Sequence, residues 1–230
     1  KAGNVHAQFA LGGMFASGRG IASNEAEASA WYRKAAEQGH AEAQYNLAVR
    51  YLSGRGVERN DAQAFTWFRR AAEQGIEPAQ LQVGRMYAEG QGTARNDSEA
   101  LRWYQMVADK NVAMGQYLLG RMYAEGRAVA RDERQALVWF RRAADQNLAL
   151  AQLELADSYF NGRGVVMDEG KGVQLLEQAA AGGAAGAQLA LANRYLSGRG
   201  VTRNEETGLK WLRQAGDQGQ VEAQYQLGAL

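Results

Sequence analysis

The chain has 230 residues and not one cysteine. Disulfides, thiolate zinc sites and cysteine nucleophiles are therefore excluded. Its compartment is not, since many exported bacterial proteins also lack cysteine. Histidine is scarce too: His6 and His40 are too few for a histidine-based metal or catalytic site. A single proline argues against loop-rich β folds and proline-rich linkers. No excess charge of one sign exists either, because 26 Lys and Arg against 25 Asp and Glu leave a net +1. Dedicated binders of nucleic acid or anionic membranes carry a basic excess, so neither partner is expected. No segment offers the ~20 strongly apolar residues of a membrane-spanning helix. The least charged stretch, 175–192, is interrupted by Glu177, Gln178, Gln188 and the Gly182–Gly183 pair. The chain opens on Lys1, with no initiator Met, basic n-region or signal-type apolar core. It reads as a fragment or processed chain whose natural protein continues beyond the N-terminus.

What the sequence does have is repetition. Ala-Gln recurs at Ala7-Gln8, Ala43-Gln44, Ala79-Gln80, Ala151-Gln152, Ala187-Gln188 and Ala223-Gln224, with Gly115-Gln116 in the remaining slot, and every step is 36 residues. Leu11, Leu47, Val83, Leu119, Leu155, Leu191 and Leu227 keep the same period. So do Phe15, Tyr51, Tyr87, Tyr123, Tyr159 and Tyr195, and so do Trp31, Trp67, Trp103, Trp139, Leu175 and Trp211. A fixed period of this size marks a helical repeat array. We expect one solenoid over 1–230, with about six repeats starting near 5, 41, 77, 113, 149 and 185, and a terminal first helix at 221–230.

Each repeat reads as two helices. In the second copy, Ala43, Leu47, Ala48 and Tyr51 share one helical face. Gly54 suits a left-handed stop. Asn60 offers an N-cap oxygen, with Gln63 three residues on. Ala64, Trp67, Phe68 and Ala71 then form an apolar stripe. One helix pair cannot bury both Trp67 and Tyr51, so stacking on a neighbouring pair is required. Small residues such as Gly12, Ala48, Gly84 and Gly120 let helices approach while the rings fill the space between. The expected fold class is all-α: an α/α superhelical solenoid of antiparallel helix pairs with a 36-residue repeat.

The pattern A-x-A-Q-x-x-L-G-x-x-Y-x-x-G-x-G-V-x-x-N/D-x-x-x-A-x-x-W-Y/F-x-x-A-A-x-Q-G resembles the Sel1-like repeat, a relative of the tetratricopeptide repeat. The copy from Ala41 to Gly75 matches it almost throughout. The resemblance implies a scaffold that binds a protein or peptide, with no catalysis, cofactor or metal. It also suggests a bacterial protein of the periplasm or the cell exterior. Two departures stand out. Leu175-Leu176 replaces the tryptophan–aromatic pair in a helix that also holds Gly170 and Gly172, so that repeat is expected to be the softest. Ala128 replaces a loop glycine, so that turn is expected to differ.

The resemblance places first helices on the concave face. Their stripe of weakest packing demand includes Asn46, Val49, Gln82, Arg85, Met114, Leu118, Arg121, Leu150, Glu154, Asp157 and Asn193, our candidate partner-binding residues. Met114, Leu118 and Leu150 are apolar members of an otherwise polar face and suggest a contact patch. Arg85 and Arg121 repeat in register, each with Glu at i+4. They read either as intrahelical ion pairs or as a clamp for a partner's carboxylate. Glu154 and Asp157 share a face and read as a solvated acidic patch. Gln at the Ala-Gln position is expected to bond backbone at a helix junction. His6 falls on the stripe and His40 in a helix junction, too far apart in register to form a site. An alternative partner is an anionic polysaccharide bound by Arg19, Arg55, Arg163 and Arg199 of the Gly-Arg-Gly loops.

Overall fold

The computed structural model describes residues 3–229, and among these there are thirteen α-helices and no strand. The first helices of successive repeats are α1 (Val5–Ser17), α3 (Ala41–Ser53), α5 (Glu77–Glu89), α7 (Ala113–Glu125), α9 (Ala149–Asn161), α11 (Ala185–Ser197) and α13 (Val221–Gly228). The second helices are α2 (Glu25–Glu37), α4 (Asp61–Glu73), α6 (Asp97–Asp109), α8 (Glu133–Ala144), α10 (Glu169–Ala181) and α12 (Glu205–Asp217). The fold is an all-helical solenoid built on a repeat of about 36 residues. By its contacts the chain divides into two compact units, Lys1–Val107 and Ala108–Leu230.

Second-helix starts and most first-helix stops have a chemical cause. Second helices open on an Asn or Asp whose carboxamide or carboxylate oxygen accepts backbone N–H groups. Asn24 accepts from Ala26 and Glu27, and Asn60 from Gln63 at 2.9 Å. Asn96, Asp132, Asp168 and Asn204 do the same. Such caps contribute about 1 kcal/mol each. The first helices α1, α3, α5, α7, α9 and α11 stop at a glycine in the left-handed region: at Gly54, φ is 73° and the N–H donates to the Arg50 carbonyl at 2.8 Å. The loop then folds back, the Asn60 N–H donating to the Tyr51 carbonyl at 2.9 Å. Ala128 does not alter its turn. Its φ is 60°, the conformation of its glycine counterparts, held despite the side chain; such strain costs on the order of 1 kcal/mol.

Hairpin packing depends on paired side-chain sizes. In α1–α2 the Asn24 N–H meets the Phe15 carbonyl beside the loop, and Gly12 meets Tyr32 farther along, so the helices run antiparallel. A Cβ on Gly12 would lie 2.7 Å from the Tyr32 ring, one on Gly84 2.5 Å from the Tyr104 ring, and one on Gly120 2.7 Å from the Phe140 ring. Where the second helix supplies Leu176 or Leu212, the first helix carries Ala156 or Ala192, fully buried. The α3–α4 hairpin departs from this pairing, with Ala48 and Phe68 both buried at the same register. A second pairing lies nearer the loop. Gly172 accommodates Phe160 and Gly208 accommodates Leu196. The α10 helix runs unbroken through Gly170 and Gly172, and Gly172 is demanded by packing.

The Ala-Gln glutamines join one hairpin to the next. Gln44 Nε2 donates to the Ala36 carbonyl at 3.1 Å, and Gln74 Nε2 donates to Gln44 Oε1 at 2.7 Å. Gln188 repeats this with Ala180 and Gln218. Gln116 instead donates to Asn111 Oδ1 and accepts from Gln146. The indoles of Trp67 and Trp103 are buried, and those of Trp31, Trp139 and Trp211 are half-buried.

Candidate functional site

The stripe on the first helices follows from helical spacing. Residues beside it face inward: Leu47 on α3 is 0% exposed, whereas Val49, two positions on, is 37% exposed. In the unit spanning Lys1–Val107, Asn46 is half-buried beside the Tyr32 phenol, and Gln82 is half-buried on α5. Burial pushes the Tyr32 hydroxyl pKa up, with Arg50 opposing. Arg50 is itself buried and reaches Glu25 Oε2 at 2.5 Å. Arg85 is exposed, and among the described residues it makes no ion pair with Glu89. Its proposed clamp partner Arg121 lies in the other unit.

In the unit spanning Ala108–Leu230, the stripe is richer in charge. Met114 and Leu118 are not the open apolar patch read from sequence. Both pack, half-buried, against a cluster that includes Tyr117, Leu137, Phe140 and Leu155, because α8 and α9 close over them. Leu150 remains 44% exposed and Asn193 is exposed. Arg121 forms the intrahelical ion pair with Glu125, to which Arg127 also comes within 3.7 Å.

Glu154 departs from a solvated acidic patch. It is half-buried, and desolvation raises its pKa above the usual carboxylate range; Asp157 and Glu125 add to this, while Arg163 and Arg121 oppose it. Glu154 makes no ion pair of its own among the described residues. Asp157 is exposed and ion-paired with Arg163, and it also accepts from Asn161 Nδ2 at 2.7 Å. Arg163 therefore turns back onto the α9 stripe and leaves the row of loop arginines. Arg19, Arg55 and Arg199 are exposed, with no ion pair among the described residues. The structure thus joins Arg121, Glu154, Asp157 and Arg163, drawn from both candidate sets, in one electrostatic cluster with Tyr117.

The histidines also meet, contrary to their register. The His6 and His40 rings are 5.2 Å apart, edge to face, and Phe9 stacks on His40 at 4.5 Å. His6 sits on the first turns of α1 and His40 caps α3, so the hairpin fold brings them together. His40 Nδ1 lies 3.4 Å from the Ala43 N–H and 3.2 Å from Glu42. Among the described residues no three His, Asp or Glu side chains converge as a metal site, and no helix is long and apolar enough to cross a membrane.

Comparison with known proteins agrees with this architecture. The Sel1 repeat pattern matches residues 5–40, 41–76, 77–112, 113–148, 149–183 and 185–220. No curated protein matches the chain. Among solved structures, a protective antigen present in uropathogenic Escherichia coli strains is 34% identical, with a TM-score of 0.90 over 99% of this chain and 49% of that one. This chain therefore spans about half the length of that relative. A Sel1 repeat protein of Oxalobacter formigenes is also 34% identical, with a TM-score of 0.86 over 93% of this chain and 86% of that one. An immunity protein of Pseudomonas aeruginosa, 19% identical with a TM-score of 0.57 over 93% of this chain and 81% of that one, shares the fold alone. With six tandem matches along its length and two relatives at this identity, the chain belongs to the Sel1 repeat family.

Proposed function

We propose that this chain is a non-catalytic adaptor that holds a protein or peptide partner on the stripe of its first helices. Sel1 repeat proteins mediate protein–protein interaction and form a family of non-catalytic scaffolds. The observation that carries the reading is Glu154. Its carboxylate is half withdrawn from water, makes no ion pair among the described residues and feels the charges of Arg121 and Arg163. A partner's N–H or ammonium group would supply the missing donor, and exposed Leu150, one turn away, would take an apolar side chain. Nothing in the cluster arranges a nucleophile with a base, so acid–base chemistry does not enter the proposal.

The test is affinity capture from cells of the source organism with the chain and with a Leu150→Ser/Glu154→Gln variant of unchanged helical circular dichroism. We expect proteins retained by the parent to be lost from this variant and kept by Arg213→Glu on the second-helix side. An identical captured set for the stripe variant would overturn the reading. The alternative partner, an anionic polysaccharide, retains three of its four loop arginines, since Arg163 is engaged by Asp157. It requires binding that weakens steeply with salt and is lost in Arg19→Glu/Arg55→Glu/Arg199→Glu.

A further inference from the structure

A cavity of about 270 Å³ opens between α8 and α10, away from the first-helix stripe. Leu155 and Tyr159 of α9 form its floor, Arg141 and Asp145 one wall, and Lys171 and Leu175 the other. Leu175 occupies the register position that holds tryptophan in the other repeats, at Trp31, Trp67, Trp103, Trp139 and Trp211. The equivalent groove between α4 and α6 shows what the indole does there. It is wider, about 440 Å³, but Trp103 forms its wall and Val83, the counterpart of Leu155, does not line it. Trp103 is 3% exposed and packs into the core that contains Ala72 and Val83. Leucine, with four side-chain carbons in place of a bicyclic ring, leaves the floor of the α8–α10 groove open.

Charge changes along with shape. In the α4–α6 groove both arginines are neutralised, Arg69 by Glu73 at 2.9 Å and Arg102 by Glu99 at 3.0 Å. In the α8–α10 groove Asp145 replaces Glu73 and is one methylene shorter. Arg141 bonds the Tyr159 hydroxyl at 3.3 Å and has no carboxylate partner among the described residues. Gln174 replaces Arg102, and Lys171 replaces Glu99. The Lys171 ammonium lies 5.6 Å from the centre of the Tyr159 ring and 3.4 Å from Asp168. The groove therefore combines the vacancy of an aromatic ring with one guanidinium, Arg141, that has no carboxylate partner among the described residues, whereas Lys171 on the other wall is paired with Asp168.

We propose that this groove receives an aromatic side chain of a partner polypeptide, with the size of an indole, next to an acidic residue. The ring lies over Leu155 and against Tyr159, where this protein's other repeats place their own indole. The neighbouring carboxylate meets Arg141. Arginine suits carboxylate geometry, and burial of an aromatic anchor in a preformed pocket is a strong source of binding energy. This site is separate from the first-helix stripe, and each stands or fails on its own test.

The experiment is an NMR titration of the ¹⁵N-labelled chain with the blocked dipeptide acetyl-Trp-Glu-amide, with acetyl-Trp-Gln-amide and acetyl-Ala-Glu-amide as comparisons. Saturable shifts are expected at the amides of Tyr159, Lys171 and Leu175, with affinity about tenfold or more lower for the alanine dipeptide and lower by a smaller factor for the glutamine one. Arg141→Gln should remove the difference between the acidic and neutral tryptophan dipeptides. Leu175→Trp should abolish the shifts and raise the melting temperature, because the chain's own indole then fills the groove. Shifts confined to other residues, no saturable shift, or equal binding of all three dipeptides would overturn the proposal. So would undiminished binding by Leu175→Trp. Should that variant fail to fold, the Arg141→Gln comparison decides alone.

Discussion

Gln44 illustrates how one side chain ties neighbouring repeats together. Its amide is 4% exposed and serves both the Ala36 carbonyl and the Gln74 amide. Gln44→Ala leaves that carbonyl the Gly39 N–H, at 3.0 Å, and removes the acceptor of Gln74; we expect a loss of about 1 kcal/mol in urea denaturation. Gln8→Ala, at a half-exposed position that accepts from Gln38, should lose less. Glu154 supplies the pH counterpart. Its folded pKa is raised, chiefly by desolvation, so the folded state binds a proton more tightly than the unfolded one. Stability then falls as pH rises from the ordinary carboxylate value through the raised folded value. Glu154→Gln is expected to raise the melting temperature at pH 7 and to lose that advantage below about pH 4. The backbone-bonding role of the glutamines was legible in the sequence, because the Ala-Gln pair keeps its period without a gap. The burial of Glu154 was not. It depends on how α7 packs beside α9 and on the direction taken by Arg163, and helical spacing along α9 encodes neither.

Within a hairpin, two facing positions share a fixed amount of space. Gly172→Ala drives a methyl group into Phe160. It should destabilise the parent yet become neutral or favourable in a Phe160→Ala background, where alanine's better helix propensity of about 1 kcal/mol is released. A double-mutant cycle followed by denaturation measures this sign reversal, and simple additivity would refute the pairing. Leu175→Trp should stabilise by about 1 kcal/mol through added apolar burial, read as a shift in urea midpoint. The sequence showed Leu175 and the nearby glycines as departures, and the departures are real. Their reading as softness missed two structural reasons. Gly172 yields space to a ring on the preceding helix, and Leu175 vacates space that nothing else in the repeat fills. Both depend on which residues face each other across packed helices, within a hairpin for Gly172 and between hairpins for Leu175. The same limit applied to His6 and His40, whose rings meet only because α1 and α3 stand side by side.

Along the whole molecule, the uninterrupted period and the helix caps made fold class and repeat register readable before any coordinates. Every boundary signal is local, and each hairpin contacts chiefly its sequence neighbours. Disruption should therefore spread only a short way. Gly56 has φ 67°, and a Cβ there would overlap the Glu25 carbonyl of the preceding repeat. Gly56→Ala should thus push these adjacent hairpins away from each other. Hydrogen exchange is expected to show lost protection in α2, α3 and α4 that fades with distance, and a uniform loss throughout the chain would contradict a nearest-neighbour array. The matched sizes inside each hairpin also determine how such a gene can be cut and rejoined. Grafting α5, with Gly84, onto α10, with Leu176, would leave a void, and grafting α9, with Ala156, onto α6, with Tyr104, would set a methyl group against a ring, a combination this array meets in α3–α4, where Ala48 and Phe68 are both buried. Crossovers between a second helix and the next first helix carry key and lock together, so duplication, deletion or shuffling of this array should cost least in whole hairpins.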